Sequence, residues 1–302
     1  MTMSATAAPA TPATATATPA RTAKAPRGRG QRSPLASFGI HATLVVTALI
    51  AILPIIWVAL TSFKPRGTWN NANPIQDPTL GNYRQVLFET ELLTWFGNSL
   101  LVAAGTMVLG VFLSATAAYA LSRFRFPGRR PMLWSFLLTQ MFPVAILIVP
   151  LYNLMSTYGL LNNFGGLILA YCTTAVPFCT WMLKGYFDSV PVEIDEAGQV
   201  DGLTPLGTFY RLVLPLARPG LAVTAFYSFI TAWGEVAYAS VFMTGNESYT
   251  LPVGLSTFVD QYKTEWGLMT SASVLITIPA AIIFLIAQRG LVQGLTAGGT
   301  KG

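Results

Sequence analysis

Charge is scarce in this chain: 10% of its residues are Asp, Glu, Lys or Arg, against roughly 25% in soluble globular domains. So few charges cannot clothe a water-facing surface, which excludes an ordinary soluble domain. Histidine is rarer still, with His41 alone at the start of an apolar run, and the only cysteines are Cys172 and Cys179. One histidine and two thiols within an apolar run do not make a metal site, so no metal ligands are expected. In a helix the two cysteines stand about 10 Å apart, beyond the roughly 7 Å that a disulfide can bridge, and both read as packing residues. No cluster of His, Asp, Glu and Cys lies near the apolar runs, which argues against a membrane enzyme. A G-x-x-x-x-G-K-[ST] phosphate loop is absent, so the chain has no such cradle for ATP. Nor is there a basic stripe interleaved with aromatics, and no nucleic-acid partner is expected.

What the chain does have is apolar length, with 53% hydrophobic residues. Runs near 38–62, 95–121, 132–152, 164–183, 220–243 and 269–288 each approach the roughly 20 residues that cross a bilayer as a helix. The expected fold class is all-α, a polytopic membrane protein with six transmembrane helices. The run at 132–152 is interrupted by Pro143 and Pro150, which membrane helices tolerate when neighbours satisfy the freed carbonyls. Basic residues near span ends are retained on the cytoplasmic side. With both ends inside, fourteen of the 18 basic residues are cytoplasmic, and only Lys64, Arg66, Arg84 and Lys263 lie outside. Both termini are therefore expected in the cytoplasm, and the net charge of +6 reads as topology plus affinity for anionic lipid.

Residues 1–34 are rich in Ala, Thr and Pro, with five basic residues from Arg21 to Arg32. Such a tail buries too little apolar surface to offset its ordering entropy and is expected to be disordered. The run from Phe38 to Ser62 is longer than a signal-peptide core of roughly 7–15 residues and reads as an uncleaved first span. In the outside loop that follows, "LGNYRQVLFET" reads as a short surface helix, with Tyr83 and Trp95 as interfacial anchors. "SRFRFPGRRP" is a tight cytoplasmic turn broken by Pro127 and Gly128. The last cytoplasmic segment, 290–302, reads as a tail, and no internal repeat is visible.

The longest polar interruption between spans, 185–218, contains "VPVEIDEAGQVDGLTPLGTFYRLVLPLAR". It reads as two short helices and a turn. Pro191 starts the first, with Glu193, Asp195 and Glu196 in its opening turns, where the helix dipole favours acids. Gly202 closes it in the left-handed conformation. Thr204 caps the second, with Pro205 at its first position, and Pro215 and Pro219 end it before the fifth span. Leu203, Leu206, Phe209, Tyr210, Leu212 and Leu214 keep helical spacing. The result is a knob with exposed apolar side chains, suited either to a partner's groove or to the bilayer surface.

E-A-G-x-x-x-G-x9-L-x-L-P, running from Glu196, Ala197 and Gly198 through Gly202 to Leu212, Leu214 and Pro215, is similar to the EAA signature of ABC-importer permease subunits, E-A-A-x-x-x-G-x9-I-x-L-P. Asp201 before Gly202, and Phe209 after it, match the longer carbohydrate-type form. The departures are Gly198 for the second Ala, expected to loosen the first helix by about 1 kcal/mol, and Leu212 for Ile. "SRFRFPGRR", "KGYFDSVPVEIDEA", "SYTLPVGL" and the ending "QRGLVQGLTAGGTKG" also resemble the MalG-like permeases of maltose/maltodextrin importers. The resemblance covers residues 35–302 and is to the type I ABC importer permease fold.

The resemblance implies a pore built with a second permease subunit, two ABC ATPase subunits beneath it, and an extracytoplasmic sugar-binding protein outside. This chain would bind no cofactor, ATP and Mg being used by the ATPase chains, and would itself be no enzyme. The knob would be the coupling element: Glu193, Glu196, Ala197, Gly198, Asp201 and Gly202, with Leu203, Leu206 and Phe209 filling the ATPase groove and Leu214 and Pro215 completing the motif. Gly245, Asn246, Glu247, Ser248 and Tyr249 resemble the loop that enters the binding protein, and "LTAGGTKG" the tail reaching between the ATPases. Glu235 is the one acid within a span, which marks either a polar pathway or a hydrogen bond between helices. Trp233 and Tyr238 beside it are either stacking faces for a sugar or packing. The alternative function is an ion-coupled secondary transporter, with Glu235 as its proton or sodium site.

Overall fold

A computed structural model describes residues 34–65, 67–68, 77–259 and 265–299, giving the backbone alone for 34, 36, 289 and 291–299. The expected tail, apart from Pro34, lies outside the described residues, as do Arg66, Lys263 and Lys301 from the charge count. Two compact units divide the chain at Ile52 and Leu53. In the first, α1 (Pro34–Ser62) begins as an apolar helix whose side chains are exposed from Phe38 to Ile52, and His41 Nδ1 lies 2.7 Å from the Ser37 carbonyl.

The second unit is all-helical among the described residues. The end of α1 is gripped by α2 (Gly81–Phe88): Asn82 Nδ2 donates to the carbonyls of Ser62 and Lys64, and Ser62 Oγ lies 2.7 Å from Tyr83 Oη. Next comes α3 (Leu92–Arg123), 32 residues without a proline, or about 48 Å of helix. It packs against α6 (Phe164–Ser189) and α10 (Arg218–Trp233), and α10 packs in turn on α13 (Trp266–Gly299). The seam between α3, α6 and α10 is made of small residues: Gly110 meets Ser228, Ser114 donates to the Val176 carbonyl, and Cys179 Sγ lies 3.3 Å from Ser228 Oγ. Small side chains let helices approach closely where lipid gives no hydrophobic drive between them.

Among the described residues four helices, α1, α3, α6 and α13, are long and apolar enough to cross a membrane, and up to six spans result if bent pairs count as one each. The expected third span is such a pair. α4 (Arg129–Met141) and α5 (Val144–Thr157) meet at 107°, because Pro143 pushes Phe142 into the extended region (ψ 126°) and has no N–H to offer. Pro150, by contrast, sits inside α5 without breaking it.

The expected fifth span, 220–243, is not one helix. α10 stops at Trp233 after 16 residues, Gly234–Val236 interrupts, and α11 (Ala237–Phe242) follows. The final helix runs to Gly299, so the described part of the expected tail, 290–299, is helical. No proline follows Pro279 in it, and Leu291, Gln293 and Leu295 are good helix formers. α12 (Leu251–Ser256) lies before it and carries Leu251 and Val253 into the main core with Trp95, Phe229, Trp233 and Tyr238.

Candidate functional site

The polar segment between α6 and α10 folds as two short helices set against the end of α3. The first, α7 (Glu193–Val200), has its three acids in its opening turn and closes at Asp201. Gly202, at φ +79°, donates to the Gln199 carbonyl and Leu203 donates to the Gly198 carbonyl, the paired bonds that end a helix on a left-handed residue. Thr204 then accepts from Gly207 N at 3.1 Å, and Pro205 opens α8 (Pro205–Thr208).

From Phe209 to Val213 the helix widens to a π turn before α9 (Leu214–Leu216). The break falls at Ala217, where the chain bends by 84° into α10. Pro215 therefore does not end the second helix. It stands just after the π turn, at the start of α9, whereas Pro219 stands in the first turn of α10, where a proline costs nothing because no N–H partner exists.

The inner face of this knob is a small core of its own: Phe209 and Val213 with Ala115, Ala118 and Tyr119 from α3, and Leu183 and Phe187 from α6. Phe209 is 1% exposed, its ring 4.6 Å from Tyr119 and 6.0 Å from Phe187. It cannot fill a partner's groove, because its ring is already packed against α3 and α6. Gly198 also faces inward: a Cβ there would come within 2.7 Å of Thr208 Oγ1 and 3.0 Å of Leu212 Cδ1. The departure from Ala is thus a close approach between α7 and the second helix. Leu203, Leu214 and Pro215 are half-buried.

The outer face carries Glu193, Glu196, Ala197, Asp201, Gly202 and Leu206, all exposed. Val200, 88% exposed, and Leu206, 64% exposed, are its apolar points. Val200 is absent from the sequence expectation, and its place three residues after Ala197 on the outer stripe of α7 was the available signal.

Asp195, read from sequence only as a first-turn acid, is buried. Its Oδ1 accepts from Tyr119 Oη at 2.7 Å, and its Oδ2 pairs with Arg123 Nε at 2.7 Å. Arg123 Nη2 also donates to the Val190 carbonyl at 2.9 Å, while Ser122 Oγ donates to Asp188 Oδ1 at 2.7 Å. Tyr119 and Arg123 are one helical turn apart on α3, so a single carboxylate takes both.

Glu235 sits in the break after α10, half-buried. Both carboxylate oxygens are engaged, Oε1 by Tyr238 N at 2.9 Å and Oε2 by Ala239 N at 3.2 Å. It starts α11 by supplying acceptors to otherwise orphaned amides. Trp233 is 4% and Tyr238 1% exposed. Trp233 stacks on Phe229 with ring centroids 5.5 Å apart, and its Nε1 donates to the Ile276 carbonyl. Neither aromatic ring presents a face to a sugar; both are packing residues, because the interrupted span turns them into the core.

Gly245, at φ +117°, leads into a 3-10 turn at Asn246–Ser248. That loop is tied to the start of α3. Trp95 Nε1 donates to the Asn246 carbonyl at 2.8 Å, and Asn98 Nδ2 donates to those of Glu247 and Tyr249. Trp95, expected at the membrane interface, is 2% exposed for this reason. The side chains of Asn246 and Glu247 stay exposed.

The model of the binding-protein-dependent transport system inner membrane component matches residues 107–297, which hold the knob, Glu235 and the loop at 245–249. The chain belongs to this family. The permease is 37% identical over 264 residues to the galactooligosaccharides transport system permease protein GanQ of Bacillus subtilis, covering 86% of this chain and 93% of that one. It is 36% identical to the trehalose transport system permease protein SugB of Mycobacterium tuberculosis (86% and 95% covered), and 37% identical to the maltose/maltodextrin transport system permease protein MalG of Vibrio vulnificus (87% and 95%). A crystal structure of a bacterial ABC transporter involved in the import of the acidic polysaccharide alginate superposes with a TM-score of 0.75 at 24% identity, covering 86% of this chain and 98% of that one. The fold is therefore that of an ABC importer permease, embedded in the membrane by several apolar helices.

Proposed function

We propose that this permease is a pore-forming subunit of an ATP-driven sugar importer, working with a second permease subunit, two ATPase chains and an extracytoplasmic sugar-binding protein. The observation that carries the reading is the knob between α6 and α10. Its outer face presents Val200 and Leu206 among Glu193, Glu196 and Asp201, while its inner face is locked onto α3 and α6. A rigid, partly apolar knob too small to fold alone is what an ATPase cleft can seize. In this reading both termini and the knob lie in the cytoplasm, the loop at 245–249 meets the binding protein outside, and ATP with Mg acts on the ATPase chains.

The cargo is a glycoside or oligosaccharide. Maltodextrin is the specific candidate by the sequence motifs, and relatives of nearly equal identity named for galactooligosaccharides, trehalose and maltose support the class without singling out one member. The ion-coupled alternative needs Glu235 to exchange a proton or cation, and its two oxygens are held by backbone amides.

The test is uptake of a panel of labelled sugars into vesicles holding the complete transporter. Uptake should require ATP, survive a protonophore, and stop when residues 193–211 are deleted. Uptake that ignores ATP and collapses with the ionophore would overturn the reading.

A further inference from the structure

Asp195 lies 72 residues beyond Arg123 in sequence, yet their ion pair, beside the Tyr119 hydrogen bond, joins the knob to a helix it does not adjoin in the chain. The knob's covalent connections are both bent: the extended Val190 (ψ 124°) leads in from α6, and the 84° turn at Ala217 leads out to α10. The contact with α3 is directional by comparison. Arg123 holds Asp195 Oδ2 through Nε and the Val190 carbonyl through Nη2, while Tyr119 holds Oδ1. A carboxylate bonded on both oxygens cannot pivot, and the side chains of the pair are only 8% and 9% exposed. Buried ion pairs seldom add net stability over an apolar pair, since desolvation offsets the attraction. What this one supplies is geometry.

The helix it grips is a continuous, proline-free route. α6 contains Pro177 and α10 ends at Trp233, whereas α3 runs unbroken from Leu92 to Arg123. Its far end carries the loop at 245–249 through Trp95 and Asn98. We propose that Arg123 and Asp195 form a positioning strut that passes knob displacement into α3, and thereby to the Asn246–Tyr249 loop at its opposite end. This rests on the ATP-driven importer reading above.

The test compares ATP hydrolysed per sugar imported, in vesicles holding the complete transporter, between wild type and the double variant Arg123→Gln/Asp195→Asn. That variant removes both charges together and so leaves no lone buried ion. The expected result is an assembled complex whose ATP use per sugar rises about tenfold, the size of a typical coupling between sites. A merely structural role would lower the amount of assembled complex and leave the ratio per complex unchanged, and that result overturns the strut. If the double variant does not assemble, Arg123→Lys carries the same criterion, since a single ammonium cannot hold Oδ2 and the Val190 carbonyl in one planar fork. Wild-type vesicles without ATP-dependent uptake would reject the importer reading instead.

Discussion

Gly198 and Thr208 face each other across the two helices of the knob, and their contact sets a precise test at the scale of one residue. A methyl at 198 would stand 2.7 Å from Thr208 Oγ1, a buried hydroxyl without a hydrogen-bond partner. Gly198→Ala should therefore destabilise the permease by about 1–3 kcal/mol despite the better helix former, read as a lower unfolding temperature in detergent. Thr208→Ala should be neutral or stabilising alone, since it removes an unsatisfied buried group, and should restore the Gly198→Ala variant. Leu206 and Phe209 make a second contrast. Leu206→Glu, on the exposed face, should leave the fold intact and weaken ATPase co-purification at least about tenfold, an ordinary loss for an interface anchor. Phe209→Ala should instead unfold the knob, costing about 3–5 kcal/mol. Helical spacing put both residues among the apolar positions, and spacing alone cannot say which of them faces inward.

At the scale of elements, the two broken spans differ in how openly the sequence announces them. Pro143 restricts Phe142 and lacks a donor, so the bend between α4 and α5 was readable as an interruption. The stop at Trp233 was hidden inside an apolar run, because the group that organises it is a single side chain: the Glu235 carboxylate collects the amides of Tyr238 and Ala239 to begin another helix. Glu235→Ala should cost about 1 kcal/mol through the lost cap. Hydrogen exchange at Tyr238 and Ala239 should quicken roughly fivefold by that energy, with sugar uptake falling less than stability does. Glu235→Gln retains one acceptor and should lie between the two. A carboxylate serving as the ion site would show the opposite order, losing uptake fully in both variants at unchanged exchange.

For the molecule as a whole, α3 ties the knob at one end to the loop at 245–249 at the other, so the two should sit on opposite sides of the membrane. Cys172 and Cys179 are buried, which keeps the background low for labelling with a membrane-impermeant thiol reagent. Glu247→Cys should label in intact cells and Gln199→Cys only after permeabilisation; the reverse pattern would invert the topology. Local rules were enough for the all-helical class, the apolar runs, the Gly202 turn and the Thr204–Pro205 helix start, because each depends on residues within a turn of one another. Tertiary structure alone decided that Asp195 meets Tyr119 and Arg123 and that Phe209, Trp233 and Tyr238 are buried. It likewise decided that Gly198 must lack a side chain. Those outcomes depend on which helix lies opposite, and in a chain whose spans are apolar on every side, period and composition do not encode which neighbour a given face will meet.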